Sequence, residues 1–504
     1  MYKLFIRSFY DSNGDGIGDF KGVMEKVDYL KSLADVIWFL PFGKCTTYHG
    51  YDPVDFYDVN PEYGTLDDLE EMIKVLNENG IAVVMDLVIN HTSWEHPWFK
   101  DAVERTTESP YWNYYIMSLE RPENANNRWY SIKNSKGQEI WYFGLFDRTM
   151  PDLNFENPEV KKEVERIVDF WITVGVNGFR IDAVKNFFGW EWSDAIIPSA
   201  QYSGELYNYI QNKYPGTIVV GEAYDGNPYV LSKFAPLPVF NFKFMFEITN
   251  NYLGRDGMLT DSLSWLNSEA YVSPFYHFPF LDNHDRDRLI SVLIGAFRGN
   301  ELSATKHYLL LNALLLTMPG ISAIYYGNEI GLRGLKFPEA PWDMGVREPM
   351  QWYADGEGPG QTSWTRQIYE KLGLGSVISA YDKRMDGISV EEQDKDPLSI
   401  LNFFRSLVEL RKSYEALRNG SVEIITDSRN LYAYKVYCKD ETILVLLNIN
   451  LRRNSTFTLD DDYEILWEAR FDGENFAFGQ KKGVLKLGQE LVVPARSVVL
   501  LSKK

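Results

Sequence analysis

Along most of the 504 residues, continuous apolar runs alternate with segments whose apolar positions recur at helical spacing. Leu4-Phe5-Ile6 reads as a strand and residues 20–33 as a helix. Val36-Ile37-Trp38-Phe39-Leu40 is the next strand, and 66–79 the next helix, stopped by Gly80; the run 81–85 follows. Runs that are apolar at every position mark strands buried on both faces, as in a parallel sheet covered by helices. The rhythm resumes with a helix at 159–174 and strands at 176–181, 217–220, 239–242, 278–281 and 321–326. Eight βα units in series predict an α/β fold, a closed (β/α)8 TIM barrel rather than an open doubly wound sheet.

Two stretches depart from the rhythm. Residues 90–157 follow the third strand with Trp, Tyr, Asn and Pro but little periodicity, and read as an inserted subdomain. From about Gly420 the pattern becomes short β segments at 431–437, 442–448, 463–469 and 497–502, which predicts a closing antiparallel β-sandwich. The segment 337–395, rich in Gly, Pro and Trp, reads as a long loop before a last helix at 397–418. The barrel is therefore assigned to 1–90 and 158–418, the insertion to 91–157 and the β domain to 419–504.

Composition narrows the partners. With 51 Lys plus Arg against 71 Asp plus Glu, the net charge is −20. Such a chain repels nucleic acid and anionic lipid, so neither is expected as a partner. Aromatic residues make up 15% of the chain, which suits stacking on flat ligands and equally suits filling a core. Cys45 and Cys438 are the only cysteines, and no Cys/His cluster points to zinc. Arg7 and Asp11 interrupt the only apolar stretch near the start, and the apolar run 309–318 contains Asn312 and stops at Pro319. A soluble protein is expected, as a monomer or weak homo-oligomer, with a cytoplasmic location favoured over an extracytoplasmic one reached through a signal peptide since removed.

Barrel active sites are built where strands end in loops. There the third strand runs into Asp86-Leu87-Val88-Ile89-Asn90-His91, the fourth into Arg180-Ile181-Asp182, the fifth into Gly221-Glu222 and the seventh into Asp282-Asn283-His284-Asp285. A single carboxylate at a strand end is commonly a helix cap. Asp182, Glu222 and Asp285 delivered to one mouth, beside His91 and His284, point to chemistry instead. Catalytic metal is the competing reading, but each His comes singly from its own strand, without metal-ligand spacing, so carboxylate catalysis is favoured.

These segments, in this order and spacing, resemble the sequence regions of the alpha-amylase family, glycoside hydrolase family 13. The resemblance spans the barrel, the insertion and the terminal β domain. A fifth region, Met150-Pro151-Asp152-Leu153-Asn154, resembles that of members intermediate between oligo-1,6-glucosidases and neopullulanases. The resemblance implies Asp182 as nucleophile, Glu222 as general acid/base and Asp285 as transition-state stabiliser. Arg180 would hold Asp182 ionised, while Asp182 and Asp285 would raise the pKa of Glu222. His91 and His284 would bond sugar hydroxyls, and Tyr51 would lie under the ring. Asp52 and Arg347 would pair to close the non-reducing end, giving preference for short maltooligosaccharides. Ala183 matches α-1,4-specific members. Lys185 would bind substrate, although Lys185-Asn186 departs from the usual Lys-His.

The loop Asp11-Ser12-Asn13-Gly14-Asp15-Gly16-Ile17-Gly18-Asp19 places oxygen-bearing side chains at alternate positions with glycines between, as Ca²⁺ prefers. It follows an EF-hand pattern to its ninth position, but the twelfth is Gly22. The resemblance implies a structural Ca²⁺ here, bound by Asp11, Asn13, Asp15, Asp19 and the Ile17 carbonyl. A second site near Asn90 and Asp152 is left open, because Asn186 stands where His is usual. The expected function is a retaining α-1,4-glucan hydrolase acting on soluble starch and α-glucan oligosaccharides. The alternatives are a 4-α-glucanotransferase with the same triad and a non-catalytic carbohydrate-binding protein.

Overall fold

The computed structural model describes residues 1–123, 125–189, 195–252, 277–373, 384–427, 431–471 and 476–504. Part of the 337–395 loop region lies outside them. Eight parallel strands form one sheet: β1 (Tyr2–Leu4), β2 (Val36–Phe39), β3 (Ala82–Leu87), β4 (Gly178–Ile181), β5 (Ile218–Gly221), β6 (Val239–Asn241), β7 (His277–Pro279) and β8 (Ile324–Tyr325). Their spatial order is β7-β6-β5-β4-β3-β2-β1-β8. The sheet curls until its ends meet, where the Ala323 N–H donates to the Pro279 carbonyl at 2.8 Å. Trp38, Val84, Val220, Phe240 and Phe278, from five different staves, pack with Ala323, just before β8, in one buried cluster inside the curl. Strands far apart in the sheet can share such a cluster only if the sheet closes on itself.

The register positions the mouth. Asp86 of β3 faces Arg180 of β4, and Gly221 of β5 faces Ile181. Asp182 and Glu222, each one residue past its strand, therefore emerge side by side. Asp182 N–H donates to Leu87 O at 3.0 Å and Glu222 N–H to Ile181 O at 2.9 Å, continuing the ladder to the rim.

Helices return the chain between strands. Thr65 and Asp68 close a capping box on Leu66–Glu78, and Pro158–Val174 ends at Gly175 with φ 110°. Several boundaries differ from the reading. The strand at 4–6 lies instead at Tyr2–Leu4, and Ile6–Ser8 is a buried 3-10 turn whose apolar residues mimic a strand. The helix at 20–33 is two helices, Phe20–Glu25 and Val27–Lys31, broken where Lys26 leaves helical geometry at φ −107°, ψ 17°. Similarly, Tyr414 is extended and divides the last helix into Ile400–Ser413 and Glu415–Asn419.

After β3 the chain forms a helix at Pro97–Arg105 and a three-stranded antiparallel sheet, Met117–Ser118, Glu139–Phe143 and Trp129–Lys133 in spatial order. Past residue 420, Ser421–Asp427, Tyr432–Cys438, Glu441–Asn448, Ser497–Lys503, Tyr463–Arg470 and Ala477–Gln480 follow one another across an antiparallel sheet. Ser455–Thr458 pairs with Glu490–Val493 in a second sheet. Leu444, Leu446, Val499 and Leu501 pack with Phe457 and Val493 of that small sheet, while Ile443, Val445, Leu447 and Leu500 join the main core with Phe403 and Leu407. Alternate residues thus serve two interfaces, as in a sandwich. Among the described residues, no helix is long and apolar enough to cross a membrane.

Candidate active site

A cavity of about 910 Å³ opens at the carboxyl ends of the barrel strands, and Asp182, Glu222 and Asp285 all line it. One guanidinium organises the first two. Arg180, buried in the barrel neck, bonds Asp182 Oδ1 at 2.6 Å and Glu222 Oε2 at 2.9 Å, and also bonds Asp86. Arg180 and Asp182, two apart on one strand, share a face, which is why the sequence alone placed them together. Asp86, visible at the end of β3 but given no role there, is their missing neighbour.

Burial pushes the Glu222 carboxyl up; Arg180 opposes the rise and Asp285 adds to it. Asp182 is also driven well up by burial, against Arg180 and with Glu222 and Asp86 adding to the effect. Arg180 was expected to hold Asp182 ionised. It does lower the Asp182 pKa, but its charge is divided among three carboxylates and burial outweighs it.

Around this pair, His284 Nε2 lies 3.1 Å from Asp285 Oδ2 and 2.6 Å from the Tyr51 hydroxyl. The Tyr51 ring stacks on His284 with centroids 5.3 Å apart, and its hydroxyl donates to Asp86 Oδ2 at 2.9 Å. His91 Nε2 meets the Tyr51 carbonyl at 2.7 Å; burial lowers the His91 pKa to about 4, keeping it neutral at ordinary pH. Arg347 holds Asp285 Oδ1 at 3.0 Å and the His284 carbonyl at 3.1 Å. Lys185 lies at the cavity edge, bonded to Asp225 at 2.6 Å and to the Tyr224 carbonyl at 3.0 Å.

Asp52 does not pair with Arg347. Its buried carboxylate instead accepts from the Thr46 and Thr47 amides at 3.2 and 3.3 Å and from both threonine hydroxyls. A tight turn brings those donors onto Asp52, whereas Asp343 stands four residues before Arg347 across the turn Met344–Val346 and forms the ion pair. Phe146, Tyr224 and Trp342, all lining the cavity, are 44%, 52% and 56% exposed. The sequence offered no signal for these rim aromatics beyond their abundance.

The Asp11–Asp19 loop closes on its own backbone. Asp11 accepts from the amides of Asn13, Gly14 and Gly16, Asn13 from Asp15 and Asp15 from Ile17. Asp19 accepts from the Ser12 and Gly22 amides and caps the helix at Phe20–Glu25. Gly18 permits the close approach, since a Cβ there would sit 1.9 Å from the Ile6 carbonyl. Among the described residues, no three His, Cys, Asp or Glu side chains converge as metal ligands. The loop's donors nevertheless include an amide and a main-chain carbonyl, and all are the hard oxygens Ca²⁺ takes. Asn90 Nδ2 donates to Asp152 at 3.2 Å; burial raises the Asp152 pKa to about 8, against its neutral donors.

A barrel with an acidic, cation-bridged mouth is the class of sugar-processing α/β enzyme that the resemblance suggested. Residues 3–420 match the family model described as alpha amylase, catalytic domain. "Alpha-amylase 3" of Dictyoglomus thermophilum is 37% identical over 468 residues, covering 92% of this chain and 86% of its own. A "4-alpha-glucanotransferase" of Thermotoga neapolitana is 30% identical over 462 residues, covering 89% and 95%. The crystal structure of alpha-amylase from H. orenii superposes with a TM-score of 0.79 at 29% identity, covering 100% of this chain and 99% of that one. The chain belongs to the alpha-amylase family, whose enzymes act as glycoside hydrolases and transferases.

Proposed function

We propose that the protein is a retaining α-1,4-glucan hydrolase acting on soluble starch and maltooligosaccharides. The observation that carries this reading is the bridging of Asp182 and Glu222 by the one Arg180 guanidinium at the cavity floor. Two carboxyls held that way suit the spacing of about 5–5.5 Å between nucleophile and acid better than the about 6.5–9.5 Å that leaves room for a water. Glu222 gives a proton to the glycosidic oxygen, while Asp182 attacks the anomeric carbon from the opposite side. Glu222, now ionised, then takes a proton from the water that releases the sugar. Asp285, held by Arg347 and His284, faces the positive charge that develops on the ring. Arg347 keeps one buried nitrogen, Nη1, without a protein partner, a donor for a sugar hydroxyl.

The second reading, 4-α-glucanotransfer, is favoured by the Thermotoga relative and by the exposed rim aromatics Tyr224 and Trp342, which would seat an acceptor sugar. Incubation with maltotriose alone decides between them. Hydrolysis yields glucose and maltose with matching new reducing ends; transfer yields longer chains early and in excess.

The oxygens of Asp11, Asn13, Asp15, Asp19 and the Ile17 carbonyl would hold a structural Ca²⁺. The ion would neutralise the loop's carboxylates and takes no part in the reaction.

A further inference from the structure

Lys3 lies on β1 in the barrel interior, 2% exposed, below the proposed sugar site. Its Nζ hydrogen-bonds His284 Nδ1 and sits 3.9 Å over the Trp38 ring. The partners on the far side of the imidazole fix the direction of this bond. Both Asp86 oxygens accept, Oδ1 from Arg180 and Oδ2 from Trp38 Nε1 and Tyr51; burial pushes this carboxyl up, and Arg180 opposes the rise. The Tyr51 proton is thereby spent on Asp86, so its oxygen must accept from His284 Nε2–H, 2.6 Å away. With hydrogen on Nε2, a neutral imidazole keeps its lone pair on Nδ1, and Lys3 supplies the N–H that meets it.

We propose that Lys3 is a positioning residue that locks His284 as the neutral Nε2–H tautomer, its one N–H shared between the Tyr51 hydroxyl and Asp285 Oδ2 at the proposed sugar site. The role at the sugar rests on the glycoside-hydrolase reading above; the tautomer itself does not. Which ring nitrogen carries hydrogen follows from what the other one bonds. The surroundings agree. His284 faces Lys3 from β1, Arg180 from β4, Arg347 and Lys336 from the segment after β8, and Asp285 from its own loop; Asp86 from β3 reaches it through Tyr51, and Trp38 from β2 meets it edge-on at 6.3 Å. Burial, then Lys3, Arg347 and Arg180, hold the imidazole well below its usual pKa. An imidazolium here would oppose the cationic transition state of glycoside cleavage.

The test is the nitrogen NMR of His284 in the full-length protein labelled at histidine, assigned through His284→Asn. The expected wild-type spectrum has a protonated Nε2 and an acceptor Nδ1 throughout the stable pH range. Lys3→Met should give mixed tautomers and let His284 take up a proton. On maltotriose the acid limb of kcat should then move to higher pH, with kcat down about tenfold at pH 5 and KM little changed. Lys3→Gln, which restores an N–H donor, should return the wild-type tautomer and limb. A wild-type His284 protonated on Nδ1, or a folded Lys3→Met with unchanged tautomer and pH profile, overturns the proposal. If Lys3→Met fails to fold, the wild-type spectrum and Lys3→Gln still decide it. A protein inactive on every glucan but showing the Nε2–H tautomer would leave the positioning role standing and refute the substrate reading.

Discussion

Two acidic clusters of similar composition lie within one domain and do opposite things with their charge. In the Asp11–Asp19 loop the acids come from one short run of chain, and the backbone amides of the same run answer them. At the barrel mouth, Asp86, Asp182, Glu222 and Asp285 come from four strands and have too few cations to satisfy all of them. The contrast teaches that acid count does not make a reactive site. Carboxyls become chemically useful where the fold forces them to share partners and bury together, so that burial pushes their pKa values up.

Asp182→Asn should break the mouth most completely, lowering kcat on maltotriose by about 10⁴-fold or more while the thermal midpoint changes little. Comparable turnover would remove Asp182 from the reaction. Arg180→Met removes the shared cation and should lower kcat/KM by about 10²- to 10³-fold. It should also move the pH profile. Activity needs Glu222 protonated, so the alkaline limb falls as pH rises through its pKa; without Arg180, which lowers that pKa, the limb should shift upward. A downward shift in the pH–rate profile would contradict the sharing argument.

The loop should respond in stability rather than rate. Ca²⁺ bound only to the native state raises Tm with concentration. Chelation should therefore lower Tm by several degrees, and Asp15→Ala should abolish that dependence while leaving kcat at saturating substrate within about twofold. A Tm indifferent to both chelator and Ca²⁺ would return the loop to a self-closed turn.

Much of the mouth was legible because the strand period and the parallel register are simple rules. Arg180 and Asp182 two apart, and acids one residue past apolar runs, already imply a shared face and a shared rim. What the pattern did not carry is which side chains meet across long separations. Asp52 and Asp343 are both acidic, and the sequence does not say which of them meets Arg347. The turn amides at Thr46 and Thr47 that capture Asp52 are visible only in three dimensions. Lys3 sits in a strand of three residues, Tyr2–Leu4, where a charged side chain reads as solvent-facing until the barrel closes over it. The insertion was opaque for another reason: its strands, two to five residues long, are too short to show alternation. Helix breaks at Lys26 and Tyr414 lack the Pro or Gly that would mark them.

The central claim is that Asp182 forms a covalent bond to the sugar while Glu222 handles the proton. Incubating the protein with a slow fluorinated α-glucosyl donor, then weighing the intact chain and its peptides, reads this directly. The account predicts one added glycosyl mass, carried by the peptide containing Asp182, with products released in the α configuration. Label on any other residue, or products of inverted configuration, would contradict it.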